Sequence, residues 1–326
     1  MLRTDVIIPV YRPDRRFFEL LRRLSLQTVR PERIILMNTE QRFWEEAEGD
    51  LKVEALGLME RTEVHHVTRA EFDHGHTRNL GAGYGKAPYF VMMTQDALPA
   101  DRYLIERLLD PMEGQRAAVP AAMCYARQLP EKNADLIERF TRGFNYPAES
   151  RIKTAADLPK LGIKTFFASN VCAAYDRAVF EKLGGFTDRA IFNEDMVYAS
   201  GLQKAGYAVY YCADARVRHS HHYTGVQQFR RNFDLAVSQA ANPEVFGGIR
   251  SESEGIRMVK QTAGYLFGNG IPGIVLLPRL VWQSGMKYLG YRLGKMYRQL
   301  PDRVILFCTG NKPYWKDVLP GKGERG

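Results

Sequence analysis

The strongest constraint on the fold is the order of apolar segments at the start of the chain. Residues 5–10 form a short apolar run before a proline turn, and residues 33–37 form a second run. Short runs of this kind are typical of strands that are buried on both faces. Between the two runs, apolar residues recur at the spacing of one helix face: Phe17, Leu20, Leu21 and Leu24. The segment therefore predicts a β-α-β unit with parallel strands.

The same alternation continues along the chain. Further strands are predicted at residues 63–67, 89–93, 117–121 and 165–174, and helices at 77–83, 102–109, 177–183 and 195–205. Residues 127–164 are polar and irregular, which predicts an insertion or a mobile flap. This alternation implies an α/β fold with a Rossmann-like, mixed and mainly parallel sheet flanked by helices.

The last part of the chain differs in pattern and in charge. Helical patterns cover residues 225–240, 252–267 and 277–297. Residues 1–249 contain 33 Lys and Arg against 32 Asp and Glu, whereas residues 250–326 contain 13 against 5. We therefore expect an α/β domain over residues 1–240 and a helical, basic C-terminal extension over residues 241–326.

Charge alone does not identify the binding partner of the basic extension. A basic surface suits anionic lipid, an acidic glycan or nucleic acid, and a solvated helix face is the simpler alternative. Aromatic residues are interleaved with the basic ones, among them Tyr265, Trp282, Tyr288 and Tyr291. Because that mixture is typical of an interfacial helix, we expect reversible contact with an anionic membrane and no nucleic acid partner.

Cysteine use and hydropathy predict a cytoplasmic protein. Cys124, Cys172, Cys212 and Cys308 form neither a C-x-x-C pair nor a zinc quartet, so reduced thiols are expected. The first residues lack the apolar core of a signal peptide. The longest apolar stretch of the second half, residues 271–277, is far shorter than the roughly 20 residues of a spanning helix. We expect a cytoplasmic chain, with the inner face of the cell membrane as its alternative location.

Polar residues follow the predicted strands at the edge where parallel sheets bind ligands. The residues are Pro9 and Tyr11 after the first strand, Asn38 and Glu40 after the second, and Gln95 and Asp96 after the fourth. A lone carboxylate in the position of Asp96 is placed to bind a hard cation that bridges two phosphates. An aspartate that only begins a turn is the alternative.

Residues 72–79, FDHGHTRN, place two imidazoles, an acid and an arginine before a helix. Arg78 is near the helix start, where it and the free N–H groups of the first turn can bind a diphosphate. Simple capping of the helix by Asp73 or Thr77 is the alternative.

Two further motifs follow in the second half of the domain. Glu194 and Asp195 are adjacent carboxylates before a helix, which indicates a general base for an acceptor hydroxyl, with N-capping as the alternative. His219 and His221 alternate, and in an extended segment they face the same way, so one of them can complete a metal site with Asp96. A zinc site of three histidines competes, but diphosphate chemistry favours Mg²⁺ or Mn²⁺.

Taken together, residues 5 to about 235 resemble the family 2 glycosyltransferases of the GT-A fold, and more narrowly their rhamnosyltransferase-like members. The opening strand VIIPVY and the ordered motifs FDHGHTRN, TQDA, NED and HSH carry the resemblance. It implies a nucleotide-sugar site, a cation held by Asp96 with a histidine near 221, Asp195 as the base and Glu194 on the acceptor side. The nucleotide-sugar residues are Pro9, Tyr11, Asn38, Glu40, Asp73, Arg78, Gln95 and Asp96.

The chain departs from the family pattern at two points. Many members carry a D-x-D metal motif where this chain has Gln95-Asp96-Ala97, and Asn38 stands where an aspartate often contacts the base. A thymidine nucleotide is compatible with the second change.

The function expected from the resemblance is inverting transfer of L-rhamnose from dTDP-rhamnose to a hydroxyl of a glycan or lipid-linked glycan acceptor. The alternatives are a UDP-sugar-dependent transferase and a degenerate GT-A binding module. A nucleotidyltransferase is disfavoured because the first strand is not followed by a glycine-rich phosphate loop.

Overall fold

The computed structural model describes residues 2–113, 118–220, 223–248 and 251–319. Within these ranges nine strands form one sheet: β1 (Thr4–Tyr11), β2 (Ile34–Thr39), β3 (Thr62–Val67), β4 (Tyr89–Met93), β5 (Leu98–Pro99), β6 (Ala121–Leu129), β7 (Arg151–Lys153), β8 (Cys172–Asp176) and β9 (Ala208–Arg218).

Helices cover the sheet and form the C-terminal part. The first nine are α1 (Arg15–Ser25), α2 (Gln41–Glu46), α3 (Gly49–Ala55), α4 (His74–Tyr84), α5 (Leu104–Glu113), α6 (Leu136–Asn145), α7 (Leu158–Leu161), α8 (Arg177–Lys182) and α9 (Glu194–Lys204). The others are α10 (Gly225–Ala241), α11 (Pro243–Phe246), α12 (Ser251–Gly268), α13 (Ile271–Ile274), α14 (Leu277–Lys295), α15 (Asp302–Cys308) and α16 (Lys312–Val318).

The sheet is mixed, as the sequence predicts. Its strand order is β3-β2-β1-β4-β8-β6-β9-β5, and β7 also pairs with β9. The β3-β2-β1-β4 half is parallel, so the predicted β-α-β unit of β1, α1 and β2 is confirmed. β8 is antiparallel to both neighbours, and the short strands β5 and β7 are antiparallel to β9. Because β1, β2 and β4 are parallel, their carboxyl ends lie at one edge of the sheet.

The core lies on both faces of the sheet. Val6 and Ile8 of β1 pack with α1 and α5, whereas the intervening Ile7 packs with residues of α4, α8 and α9. The period of two in a strand directs alternate side chains to opposite faces, which explains why β1 is apolar at successive positions.

Two predicted strands are misplaced. The strand predicted at 117–121 begins only at Ala121, and residue 117 lies outside the described residues. The strand predicted at 165–174 begins at Cys172, because residues Gly162–Thr165 form a 3₁₀ turn. Apolar residues in turns that pack on a core, such as the buried Phe166, imitate a strand pattern.

The irregular segment predicted at 127–164 is more structured than expected. It contains the end of β6, then α6 and β7, and α6 begins after Asp135, whose carboxylate accepts the N–H of Glu138 at 2.9 Å. A capping aspartate three residues before a glutamate is a helix-start signal that the overall polarity of the segment obscures.

The extension is helical in its described part, and α14 packs closely on α10. A Cβ at Gly290 would lie 2.2 Å from the carbonyl oxygen of Phe229, and one at Gly294 would lie 2.3 Å from that of Phe233. Glycine at both positions is therefore what allows the two helices to approach. Within the described ranges, none of the helices combines the length and hydropathy that crossing a bilayer requires.

Candidate active site

The residues of the predicted nucleotide site lie at the carboxyl ends of neighbouring strands. Pro9 and Tyr11 are in β1, Asn38 is in β2, and Glu40 follows β2. Gln95, after β4, connects to this group: its Nε2 donates to the Tyr11 carbonyl at 2.9 Å and its Oε1 accepts the Tyr11 N–H at 2.7 Å. The Gln95 side chain thus fixes the end of β1.

Asn38 and Glu40 shape the turn after β2. Asn38 Nδ2 donates to the Glu40 carbonyl at 3.1 Å, and Glu40 Oε1 accepts the N–H of Arg69 at 2.7 Å. Glu40 has a positive φ of 68°. Asn38 Oδ1 is buried and has no hydrogen-bond partner within the described ranges, which leaves this acceptor unmatched.

Asp73 caps α4. Its Oδ1 accepts the N–H groups of Gly75 and His76, both at 2.9 Å. In the structure, the Asp73 carboxylate therefore caps the helix, as the alternative interpretation expects. Binding of the nucleotide sugar by Asp73 stays a prediction.

A cavity of about 730 Å³ lies beside the nucleotide group. Its wall brings together five further predicted site residues, which are Arg78, Asp96, Glu194, Asp195 and His219, whereas Asp73 is not on the wall. Pro9, Tyr11, Asn38, Glu40 and Gln95 do not belong to that wall. The predicted residues thus form two neighbouring groups, one at the strand ends and one inside the cavity.

The carboxylate pair lies at the start of α9 and is held by Asn170. The Asn170 N–H donates to Asp195 Oδ2 at 2.9 Å, and its Nδ2 donates to Glu194 Oε1 at 3.0 Å. Asp195 Oδ1 accepts the N–H of Met196 at 2.8 Å. Asn170 itself is 4 % exposed, and Tyr175 donates its hydroxyl to Asn170 Oδ1 at 2.6 Å, so the residue that aligns both acids is itself fixed.

The two acids differ in protonation. Burial, with the neighbouring charge of Glu194, raises the pKa of Asp195 to about 7. Burial also acts to raise the pKa of Glu194, but Arg78, His74 and the Asn170 amide outweigh it, and the net pKa of Glu194 is lowered. Glu194 therefore holds the charge, and Asp195 is the acid that can exchange a proton near neutral pH.

Arg78 lies against Glu194, with Nη1 3.4 Å from Glu194 Oε1. Nη1 also donates to the His74 carbonyl at 2.8 Å, whereas Nε is buried and has no hydrogen-bond partner among the residues that the structure describes. Arg78 lines the cavity from the second turn of α4. A role toward the donor diphosphate stays a prediction.

Asp96 and His219 face each other across the end of β4. His219 Nε2 is 3.4 Å from Asp96 Oδ2, and its Nδ1 is 2.9 Å from Gln128 Oε1. Gln128 Oε1 also accepts from Arg142, so Nδ1 of His219 is the protonated nitrogen of the neutral ring. Burial lowers the pKa of His219 and favours that neutral form, although Asp96 opposes the change.

This pair suits a cation. In the neutral tautomer, Nε2 of His219 carries a lone pair that faces the carboxylate oxygen of Asp96. Two acceptors this close repel each other unless a proton or a cation lies between them. Within the described ranges, no group of three or more His, Cys, Asp or Glu side chains is arranged to hold a metal ion. His221 lies outside the described residues, so its predicted metal role is not assessed.

Sequence reasoning missed Asn170, Gln128 and the contribution of the extension. Arg279, Gln283 and Lys287 of α14 line the cavity. They recur every four residues, which is the polar-face spacing of a helix, and this was the available signal. For Asn170 and Gln128 no local pattern distinguishes them from other polar residues.

The fold and the site define a GT-A glycosyltransferase. The model of Glycosyl transferase family 2 matches residues 5–184. The chain therefore belongs to glycosyltransferase family 2, as its sequence motifs indicate, and is a nucleotide-sugar-dependent glycosyltransferase.

Relatives in two Salmonella strains cover much of the chain. It is 36 % identical over 325 residues to the O-antigen chain rhamnosyltransferase RfbN of Salmonella typhimurium, which covers 97 % of both chains. It is 40 % identical over 256 residues to the O-antigen chain rhamnosyltransferase WbaN of Salmonella anatum, which covers 77 % of this chain and 78 % of that protein. The rhamnosyltransferase-like resemblance is confirmed by these relatives.

A solved structure confirms the fold. The mannosyltransferase PcManGT of Pyrobaculum calidifontis, solved with GDP-Man and Mn²⁺, aligns with a TM-score of 0.60 and 15 % identity, over 91 % of this chain and 88 % of that chain. At this identity the likeness establishes the GT-A architecture.

Proposed function

We propose that the protein transfers L-rhamnose from dTDP-rhamnose to a hydroxyl of a glycan acceptor, with inversion at the anomeric carbon. The observation that carries the proposal is the Asp195 carboxylate on the cavity wall, aligned by Asn170 and with a pKa raised to about 7. A group of this kind removes the proton of an attacking hydroxyl near neutral pH. The rhamnosyltransferase names of both Salmonella relatives support the sugar.

In the proposed mechanism Asp195 accepts the proton of the acceptor hydroxyl as that oxygen attacks the anomeric carbon of rhamnose. The bond between this carbon and the diphosphate oxygen breaks in the same step, and dTDP leaves. Glu194 stays charged and, through Arg78 and Asn170, orients the acceptor side of the cavity. The cavity positions acceptor and donor in line, and alignment supplies a large part of the rate enhancement.

We propose that Asp96 and His219 hold a divalent cation, Mg²⁺ or Mn²⁺. A carboxylate such as Asp96 is a ligand that both ions accept, and the neutral imidazole of His219 faces it. The Mn²⁺ in the mannosyltransferase structure supports a divalent cation. Such an ion supplies positive charge to the departing diphosphate. His221 is a further proposed ligand.

The nucleotide group is proposed to bind the dTDP moiety. Pro9, Tyr11, Asn38 and Glu40 lie next to the cavity at the strand ends, where open α/β sheets bind nucleotides. Asn38 Oδ1, which lacks a described partner, matches the ring N–H of thymine.

The acceptor is proposed to be a lipid-linked glycan at the inner face of the cell membrane, in the synthesis of a surface polysaccharide. The O-antigen relatives support the acceptor class. The turn between α12 and α14 supports the location: Phe267, Ile271 and Val275 are 61 %, 78 % and 66 % exposed. Exposed apolar groups in an extension with an excess of Lys and Arg suit the interface of an anionic bilayer.

A panel of nucleotide sugars tests the donor. The proposal expects dTDP-rhamnose to be consumed in preference to UDP-glucose or UDP-galactose, measured as released nucleoside diphosphate in the presence of acceptor. Equal or faster turnover of a uridine donor would establish the UDP-sugar alternative, and no release from any donor would support a binding module.

A further inference from the structure

Most cations on the cavity wall are matched by a carboxylate. The matched pairs are Arg78 with Glu194 at 3.4 Å, Arg279 with Asp135 at 2.7 Å, Lys164 with Glu254 at 3.0 Å and Arg142 with Glu138 at 3.9 Å. Such matching is expected where charges are partly withdrawn from water.

Arg231 and Lys287 are the exceptions. Both line the cavity, and within the described ranges neither forms an ion pair with a carboxylate. The Arg231 guanidinium lies 4.6 Å from the ring centroid of Phe192 and 5.6 Å from that of Tyr223, which fixes its direction without neutralising it.

The two cations belong to helices that pack closely, Arg231 to α10 and Lys287 to α14. Gly290, where a Cβ would lie 2.2 Å from the Phe229 carbonyl oxygen, is one helical turn after Lys287, and Phe229 is two residues before Arg231. Burial, and then the charge of Arg231, lower the pKa of Lys287. Packing on glycine thus places two helices, each with an unmatched cation, along the cavity that contains Asp96 and Asp195.

We propose that Arg231 and Lys287 form a subsite for a phosphate group on the wall of the catalytic cavity. A phosphate between them accepts charge-assisted hydrogen bonds from both. The inference rests on the proposed function for the source of that phosphate, which is either the diphosphate of the donor or the diphosphate that links a glycan acceptor to its lipid. The C-terminal extension is then part of the active site, because Lys287 belongs to it.

The test is calorimetric titration of the full chain with inorganic pyrophosphate, in EDTA so that a cation at Asp96 does not contribute to the affinity. Lys287→Met and Arg231→Gln should each weaken pyrophosphate binding by about tenfold. Lys287→Arg, which keeps the charge, should bind pyrophosphate with nearly the wild-type affinity. Lys260→Met, on an exposed part of α12 outside the cavity wall, removes the same charge and should change nothing.

Two further probes identify the source. If Lys287→Met binds dTDP more weakly than the wild type, the subsite belongs to the donor diphosphate. If its affinity for dTDP is unchanged but its affinity for farnesyl diphosphate is lower, the subsite belongs to the lipid-linked acceptor. Wild-type affinity of both variants for all three probes, with thermal unfolding that shows an intact fold, overturns the subsite. Rhamnose transfer by the wild-type enzyme is assayed separately, so loss of the proposed function is distinguished from loss of the subsite.

Discussion

At the scale of single residues, Asp195 is distinguished from Glu194 by its partners. Both acids accept hydrogen bonds from Asn170, but Arg78 lies against Glu194 alone. The pKa of Asp195 is raised and that of Glu194 is lowered, so only Asp195 alternates between its two forms near neutral pH. Adjacent carboxylates thereby have different tasks, one as base and one as fixed charge.

Asp195→Asn should lower turnover by about 10² or more, because an amide accepts hydrogen bonds but takes up no proton at neutral pH. Affinity for dTDP, measured by calorimetry, should remain that of the wild type. Glu194→Gln is the matched control and should reduce turnover less. If Asp195→Asn turns over at the wild-type rate, Asp195 only caps α9 and Glu194 becomes the first candidate for the base.

The pH dependence follows from the same pair. The base must be deprotonated, so kcat/KM should fall as pH decreases through about 7, well above the range of an ordinary aspartate. Glu194→Gln removes a negative charge that raises the pKa of Asp195, so the inflection should move to lower pH. The check is the pH profile of kcat/KM in both proteins, and an inflection that does not move excludes the coupling.

Asp96→Asn should remove nearly all transfer and leave the thermal unfolding temperature almost unchanged. The amide keeps the shape of the side chain but lacks the charge that attracts a divalent ion to phosphate. EDTA should have the same effect on the wild-type enzyme, and added Mn²⁺ or Mg²⁺ should restore activity. Full activity in EDTA would mean that Arg78 and other side chains neutralise the leaving group alone.

The sequence predicts single residues well where they belong to compact motifs. Arg78, Asp96, Glu194, Asp195 and His219 are brought into one cavity, as the edge rule for parallel sheets implies. Asn170 and Gln128 escaped prediction because their roles arise from contacts with distant segments, and nothing in their own neighbourhood in the chain indicates them.

At the scale of elements, the exposed turn between α12 and α14 is the part for which we propose a role separate from catalysis, contact with an anionic membrane. Ile271→Glu with Val275→Glu should abolish flotation with anionic liposomes, because two charged groups replace the apolar contact and repel anionic lipid. High salt should weaken wild-type binding, since basic residues near the surface contribute on the order of 1 kcal/mol each.

A matched control for the turn is available on α3. Leu51 is 65 % exposed and lies outside the extension, so Leu51→Glu should leave flotation unchanged. Absence of wild-type binding at low salt would assign the exposed turn to oligomerisation, and its self-association would be measured by light scattering.

Elements with regular apolar periods are predicted closely, and those without are not. The helix predicted at 277–297 is observed as Leu277–Lys295, and its polar Arg279, Gln283 and Lys287 recur at helical spacing. The strand predicted at 165–174 is displaced because local apolarity does not separate a strand from a packed turn. α6 was missed because a long polar segment conceals its capping signal.

At the scale of the whole molecule, the extension and the α/β domain share one cavity. Arg279, Gln283 and Lys287 come from α14, whereas the carboxylates come from α9, more than 80 residues earlier in the chain. The four-residue spacing of these side chains indicates a polar helix face, but which part of the α/β domain the face meets depends on the close contact of α10 with α14. The predicted boundary near residue 240 thus separates two patterns of sequence, while catalysis is proposed to use both parts.

The central claim is a single displacement with Asp195 as the base, and the configuration of the product tests it most directly. The measurement is the anomeric configuration of the transferred rhamnose, determined by NMR on product made from dTDP-rhamnose of known configuration. The account expects the new glycosidic bond to have the configuration opposite to that of the donor. A product with the donor's configuration would contradict it, since one displacement assisted by one base inverts the carbon that is attacked.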